Sequence, residues 1–292
     1  MRAALLLLSL ACSAAFGQIR VQDDYGGTVE LAAPARRIVS LSPHLTELLY
    51  AAGAGERLVG AVEFSDYPPA AKALPRVGSD AGIDVERVLA LQPDLVVAWP
   101  NVGSVRTVNQ LQQLGLRVFR SEPRALEDIA TTLERLAVLG GTATEGKRAA
   151  EAFRARVGAL GKRYAGASRV RVFYQIWDRP LLTVNGQHVI TRVVELCGGE
   201  NVFAALPLLA PEVDREAVLR ADPDVIVASG SGGDPPGWLA GWRQFGGLRA
   251  AARGQLYSIP PDVIQRHTPR ILEGAEQLCA ILERVRAGVS AR

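Results

Sequence analysis

Asp84-Val85-Glu86-Arg87-Val88-Leu89-Ala90-Leu91-Gln92-Pro93-Asp94-Leu95-Val96-Val97-Ala98 returns later in the chain as Asp214-Arg215-Glu216-Ala217-Val218-Leu219-Arg220-Ala221-Asp222-Pro223-Asp224-Val225-Ile226-Val227-Ala228. Asp, Glu, Val, Leu, Pro, Asp, Val and Ala recur in register at one constant offset. Each copy opens on an aspartate suited to cap a helix, continues as a short amphipathic helix and is expected to stop at Pro93 or Pro223. The runs Leu95–Ala98 and Val225–Ala228 that follow read as strands buried on both faces, the pattern of a parallel sheet. Each half of the chain is therefore expected to be α/β.

Working outward, residues 37–41 and 171–175 read as the opening strand of each half, and each is later followed by a helix ending on glycine, at Gly53 and Gly198. Between the halves, residues 142–165 interleave Glu145, Lys147, Arg148, Glu151, Arg154, Arg156 and Lys162 with apolar positions, a long charged amphipathic helix. The fold class is thus two α/β lobes related by an internal repeat, joined by one long helix, with a ligand cleft between them. The expected divisions are an N-terminal lobe over 18–141, a linking helix over 142–166 and a C-terminal lobe over 167–292. A continuous linking helix implies lobes that move little against each other.

The 292 residues are 48% hydrophobic and 22% charged, with 33 basic against 30 acidic side chains, which excludes disorder and gives no basic footprint for nucleic acid. Nothing points to an oligomer interface, so a monomer is expected. Arg2 before the apolar run 3–11, with Ala15-Phe16-Gly17 ahead of Gln18, reads as a signal peptide over 1–17 and a periplasmic destination. A lipoprotein signal ending at Cys12 is the second reading. Removal of the leader leaves Cys197 and Cys279, for which a disulfide and two buried thiols both stand as readings, export favouring the first.

In open α/β sheets ligands bind beyond the carboxyl ends of strands, so the residues just after each strand are the candidates. Ser42-Pro43-His44 starts a helix whose free N–H groups suit a polar or anionic group, with Ser42 or His44 as its cap. Phe64, Tyr67 and Trp99 offer aromatic surface, as does Trp177 in the second half, where residues 262–266 (Asp262, Val263, Ile264, Gln265, Arg266) follow a further strand. Asp262 and Arg266 equally suit a local ion pair. No nucleophile elbow, zinc-protease motif or phosphate loop is present, and the glycine run 230–233 lacks the required lysine. No catalytic residue, resident metal or cofactor is assigned. His44, His188 and His267 stand singly in the sequence; a metal site would require His44 and His267 to converge with Asp262.

From Arg37 nearly to the C-terminus the chain resembles the cobalamin-binding periplasmic proteins of bacterial ABC importers, the class whose lobes are joined by a single long helix. The carriers are Ser40-Leu41-Ser42-Pro43 with Thr46-Glu47-Leu48, Ser65-Asp66-Tyr67-Pro68-Pro69, Gln92-Pro93-Asp94 with Ala98-Trp99, Cys197-Gly198-Gly199-Glu200-Asn201 and Thr268-Pro269-Arg270. The turn 65–69 and the cysteine pair point toward cobalamin within this class. The resemblance implies a binding protein that hands a corrinoid to permease subunits, with ligand contacts at Phe64, Trp99 and residues 262–266. It also implies permease-docking acids at Glu86 and Glu216, which the repeat independently places at equivalent points. Departures from the pattern are Asp80 and Ala210 at tryptophan positions, and Val263 and Ile264 at aromatic ones. A metal ion, haem or a ferric siderophore is the alternative ligand on the same fold.

Overall fold

The computed structural model describes residues 18–79, 82–100, 104–229 and 237–288. The expected leader with Cys12, the position Asp80 and the glycine run 230–233 lie outside the described residues. A hairpin of β1 (Ile19–Gln22) and β2 (Thr28–Leu31) comes first. The first half then runs β3 (Ile38–Ser40), α1 (Pro43–Ala51), β4 (Leu58–Ala61), β5 (Gly78–Ser79), β6 (Gly82–Ile83), α2 (Val85–Ala90), β7 (Leu95–Ala98), α3 (Val105–Gln113), β8 (Val118–Arg120) and α4 (Leu126–Gly140). The long helix α5 (Ala143–Tyr164) leads to the second half. That half holds β9 (Val170–Gln175), α6 (Val189–Leu196), β10 (Gly199–Asn201), α7 (Arg215–Ala221), β11 (Val225–Ala228), α8 (Arg249–Ala252), β12 (Leu256–Ser258), α9 (Pro261–Ile264) and α10 (Ile271–Arg286).

Each half contains a four-stranded sheet, ordered β4-β3-β7-β8 and β10-β9-β11-β12, parallel at every pairing. Side chains alternate across a strand, so both faces must be covered. Ile38, Leu95 and Val97 enter one core while Val39, Val96 and Ala98 enter another. The second sheet repeats this, with Val172, Tyr174, Val225 and Val227 on one face and Phe173, Ile226 and Ala228 on the other. The inner faces of both sheets share a single core that continues through α4, α5, α6 and α10.

The repeat is preserved down to its hydrogen bonds. Asp84 accepts from the Arg87 N–H at 3.0 Å, and Asp214 from the Ala217 N–H at 2.6 Å, as N-caps do. Asp94 accepts from the backbone N–H groups of Arg36 and Arg37, and Asp224 from that of Arg171. The Arg37 guanidinium in turn holds the Leu91 carbonyl at the end of α2, and Arg171 holds Ala221 at the end of α7. Each helix ends before the proline expected to stop it, and the chain reverses at Gln92 and Asp222, with φ of 45° and 40°. Proline excludes the right-handed helical region from its predecessor, which here turns left-handed instead.

The linking helix is fixed to both halves. Arg154 pairs with Glu127 and Glu134 of α4, while Arg156 and Arg163 reach Glu276 and Glu283 of α10. Gly146 lets α5 approach α4 closely, since a Cβ there would stand 2.1 Å from that of Ala137. Cys197 and Cys279 form a disulfide between the end of α6 and α10, so of the two cysteine readings the disulfide holds.

Candidate functional site

The chain leaves β3 through Leu41 into Ser42, which takes extended backbone at the N-cap of α1, followed by Pro43 at the first helical position. The Ser42 hydroxyl does not cap the helix as expected. It lies 2.7 Å from His44 Nδ1 in a hydrogen bond, and His44 Nε2 is buried with no hydrogen-bond partner among the described residues.

The three histidines, dispersed in sequence, form one row in the fold. The His267 ring centre is 5.8 Å from that of His44 and 5.6 Å from that of His188, and Trp99 stands 5.6 Å from His44. Each arrives from a different element: His44 from the first turn of α1, His267 from the turn before α10, and His188 from the N-cap of α6. His188 Nδ1 accepts from the Ile190 N–H at 3.1 Å, which leaves its proton on Nε2. Burial pushes all three below the ordinary histidine range, His188 to about 3 and His267 to about 4, with neighbouring His267 adding to the effect on His44 and His188. The row is therefore uncharged at neutral pH. Among the described residues no group of His, Cys, Asp or Glu is arranged to hold a free metal ion.

Two hollows meet at the His44 end of this row. One, of about 300 Å³, is lined by Arg124, Ile176, Gln187, His188, Ala210 and His267 among others. The other, of about 270 Å³, is lined by Ser42, Pro43, Ser79, Asp262 and Arg266 among others. His44, Trp99 and Gln265 belong to both walls. The Gln265 amide is held by donation to the Ser229 carbonyl and hydroxyl oxygens at 2.9 and 2.8 Å.

Beside the hollows, a polar bridge joins the halves. Glu47 of α1 is 3% exposed, accepts from the Thr268 hydroxyl at 2.6 Å, and faces Arg270 and Arg266 at 3.5 and 3.9 Å. Arg266 also pairs with Asp66 and Asp262, each at 2.9 Å, and the Arg270 guanidinium lies 4.0 Å over the Tyr67 ring. Burial raises the Glu47 pKa, opposed by the Thr268 hydrogen bond and the two arginines.

Of the expected ligand residues, the structure brings Ser42, Pro43, His44, Trp99, Asp262, Gln265 and Arg266 to the hollows. Val263 and Ile264 are instead buried in the shared core, because α9 turns them inward. Phe64 is 70% exposed on a residue with φ of 63°, and Tyr67 and Trp177 are exposed; none of the three borders either hollow. Sequence reading did not select His188, Gln187 or Arg124, and the one local signal was the position of His188 before an apolar helix. Glu86 and Glu216 are exposed in the first turns of α2 and α7, and neither pairs with a described cation.

Comparison with known proteins agrees with this architecture. Residues 38–263 match the periplasmic binding protein family. The vitamin B12-binding protein of Vibrio parahaemolyticus is 38% identical over 253 residues, 87% of this chain and 91% of the relative. That of Yersinia pestis (strain Pestoides F) is 42% identical over 248 residues, 85% of this chain and 86% of the relative. The crystal structure of the periplasmic vitamin B12 binding protein of Vibrio cholerae superposes with a TM-score of 0.79 at 38% identity, covering 87% of this chain and 98% of that one. A periplasmic heme binding protein from Pseudomonas aeruginosa gives 0.74 at 27% identity, covering 84% and 92%.

Proposed function

Because the chain belongs to the periplasmic binding protein family, we propose that it captures cobalamin, or a closely related corrinoid, between its two lobes and delivers it to an ABC importer without transforming it. The observation that carries the reading is the pair of hollows on either side of His44, Trp99 and Gln265, in a chain whose relatives at 38 to 42% identity are vitamin B12-binding proteins. Either hollow alone is at the lower limit of drug-sized sites, so a ligand as large as a corrinoid spans both. The Trp99 indole supplies apolar surface, while Gln265, Arg266 and Asp262 offer hydrogen bonds to the amides that fringe such a ring. Phe64 and Tyr67 are exposed outside both hollows and meet the ligand where it extends beyond them.

Glu86 and Glu216 fit the permease-docking role. They stand at equivalent positions of the repeat, one on each lobe, and can meet basic residues on two related permease subunits. Glu86→Arg together with Glu216→Arg is expected to abolish stimulation of the importer while leaving corrinoid affinity unchanged, read as transport in proteoliposomes beside a binding titration. The protein acts in the periplasm as a monomer, exported by residues 1–17, with lobes over 18–141 and 167–292 and the linking helix over 142–166.

Calorimetric titration of the mature protein with cyanocobalamin, beside cobinamide and haemin, tests the reading. One-to-one binding of cyanocobalamin with preference over haemin is expected. Absence of corrinoid binding, or preference for haemin, overturns it.

A further inference from the structure

The imidazole row is more than a wall of the cleft. A surface that only packs against a flat ligand needs apolar or aromatic area, yet every histidine of the chain converges here, from three separate elements. The His267 ring neighbours the other two at 5.6 and 5.8 Å, and no set of ligands for a free ion is formed among the described residues. A single available imidazole nitrogen without further ligands around it suits a metal that arrives already chelated, with its equatorial positions filled and one axial position to be taken.

Hydrogen bonding distinguishes the three. His188 Nδ1 is occupied by the Ile190 N–H, so its Nε2 carries the proton and serves as a donor. The His267 ring makes no hydrogen bond to a described residue, so no described residue fixes its second nitrogen as one does for ligating histidines. His44 has the arrangement of a metal-bound imidazole: Nδ1 is held at 2.7 Å by the Ser42 hydroxyl, and Nε2 is buried without a hydrogen-bond partner among the described residues. Its ring is shared by both hollows, the place a ligand spanning them would cross.

We propose that His44 Nε2 is an axial ligand to the metal of the bound corrinoid, oriented by donation of its Nδ1–H to the Ser42 hydroxyl. The inference rests on the corrinoid reading above. The nitrogen lone pair forms one dative bond to cobalt and a water ligand leaves; no electron or proton is transferred. Nε2 is buried in this structure against the Trp99 and His267 rings, so the bond forms as the ligand displaces that packing. His188 Nε2–H stands ready to donate to an amide oxygen of the ligand, so the row supplies one metal ligand and one hydrogen-bond donor.

The test uses cob(II)inamide, which lacks a nucleotide base of its own, bound to the purified mature protein, with binding followed in the same sample by tryptophan fluorescence. Electron paramagnetic resonance of the bound cobalt is expected to show the triplet splitting of one axial nitrogen. Labelling the protein's histidine with the heavy nitrogen isotope turns that triplet into a doublet, and His44→Ala removes it while His188→Ala and His267→Ala retain it. Ser42→Ala keeps the splitting but weakens binding of the base-free corrinoid about tenfold, a loss in the range of one outer-shell hydrogen bond. Binding without nitrogen splitting, or splitting that survives in His44→Ala, overturns the proposal and leaves the corrinoid reading standing. Failure to bind any corrinoid overturns both.

Discussion

In the N-terminal half, β7 runs out into Trp99, which borders both hollows; at the matching point of the C-terminal half, β11 runs out into Ser229, which is buried. Ser229 accepts from the Tyr174 hydroxyl at 2.6 Å and holds Gln265 in place. Below this level the halves match closely, with Asp94 and Asp224, Arg37 and Arg171, and the left-handed Gln92 and Asp222 in equivalent roles. The difference teaches where the repeat is free to vary. Positions that close a strand or a helix are fixed by backbone hydrogen bonding, whereas the side chain of the first residue past the strand closes neither and can become a wall of the hollows in one lobe and a buried support in the other.

The halves also differ in how they are secured, and the largest expected effect exploits this. Only the C-terminal half carries the disulfide among the described residues, and its loop of 82 residues corresponds to about 4–5 kcal/mol by chain entropy. Replacing both Cys197 and Cys279 by Ala is expected to lower chemical-denaturation stability by that amount and to make the C-terminal half open first in hydrogen exchange. Next comes the bridge between halves. Glu47→Ala leaves Arg270 and Thr268 without their buried acceptor and is expected to cost about 3 kcal/mol, with a wider range of lobe separations in small-angle scattering.

A smaller effect tests the equivalence directly. Asp94→Ala and Asp224→Ala each remove charge-assisted hydrogen bonds to the start of the neighbouring strand and are each expected to cost about 2 kcal/mol in equilibrium unfolding. Loss at one site with none at the other would break the comparison.

The smallest effect per step is a pH slope. His188 and His267 are held below the ordinary range by burial, so the unfolded chain binds protons that the folded one refuses. Stability is therefore full above about pH 6.5 and falls as the pH drops toward 4, by about 1.4 kcal/mol per pH unit for each imidazole. Arg266, near His44, acts in the same direction by disfavouring a second positive charge. Glu47 has the opposite sign: its raised pKa makes its contribution fullest at low pH and lost as the pH rises through that value. The double variant His188→Asn, His267→Gln is expected to flatten the acid limb, read from unfolding midpoints at pH 7 and 5.

Much of the scaffold was legible because its determinants are local. Aspartate caps, the buried strand runs and the charged helix each act within a few residues, and all formed over nearly the expected spans. Of the site, Trp99 and Gln265 were reachable by the rule that ligands bind past strand ends. Val263 and Ile264 were not separable from their neighbours, since which side of a single turn of helix faces the core depends on α10 packing behind it. His188 escaped because its role depends on His267, nearly eighty positions away in the chain.

By itself, the amino-acid sequence determined two α/β halves, their repeat, the linking helix and the positions of Glu86 and Glu216, since periodicity, capping and proline act through the adjacent backbone. Tertiary structure alone decided that Glu47 meets Thr268 and Arg270, that the cysteines pair, and that His44, His267 and His188 stand in one row. Those contacts join residues far apart in the chain, and their geometry is set by how two sheets, each covered on both faces, pack around a common core.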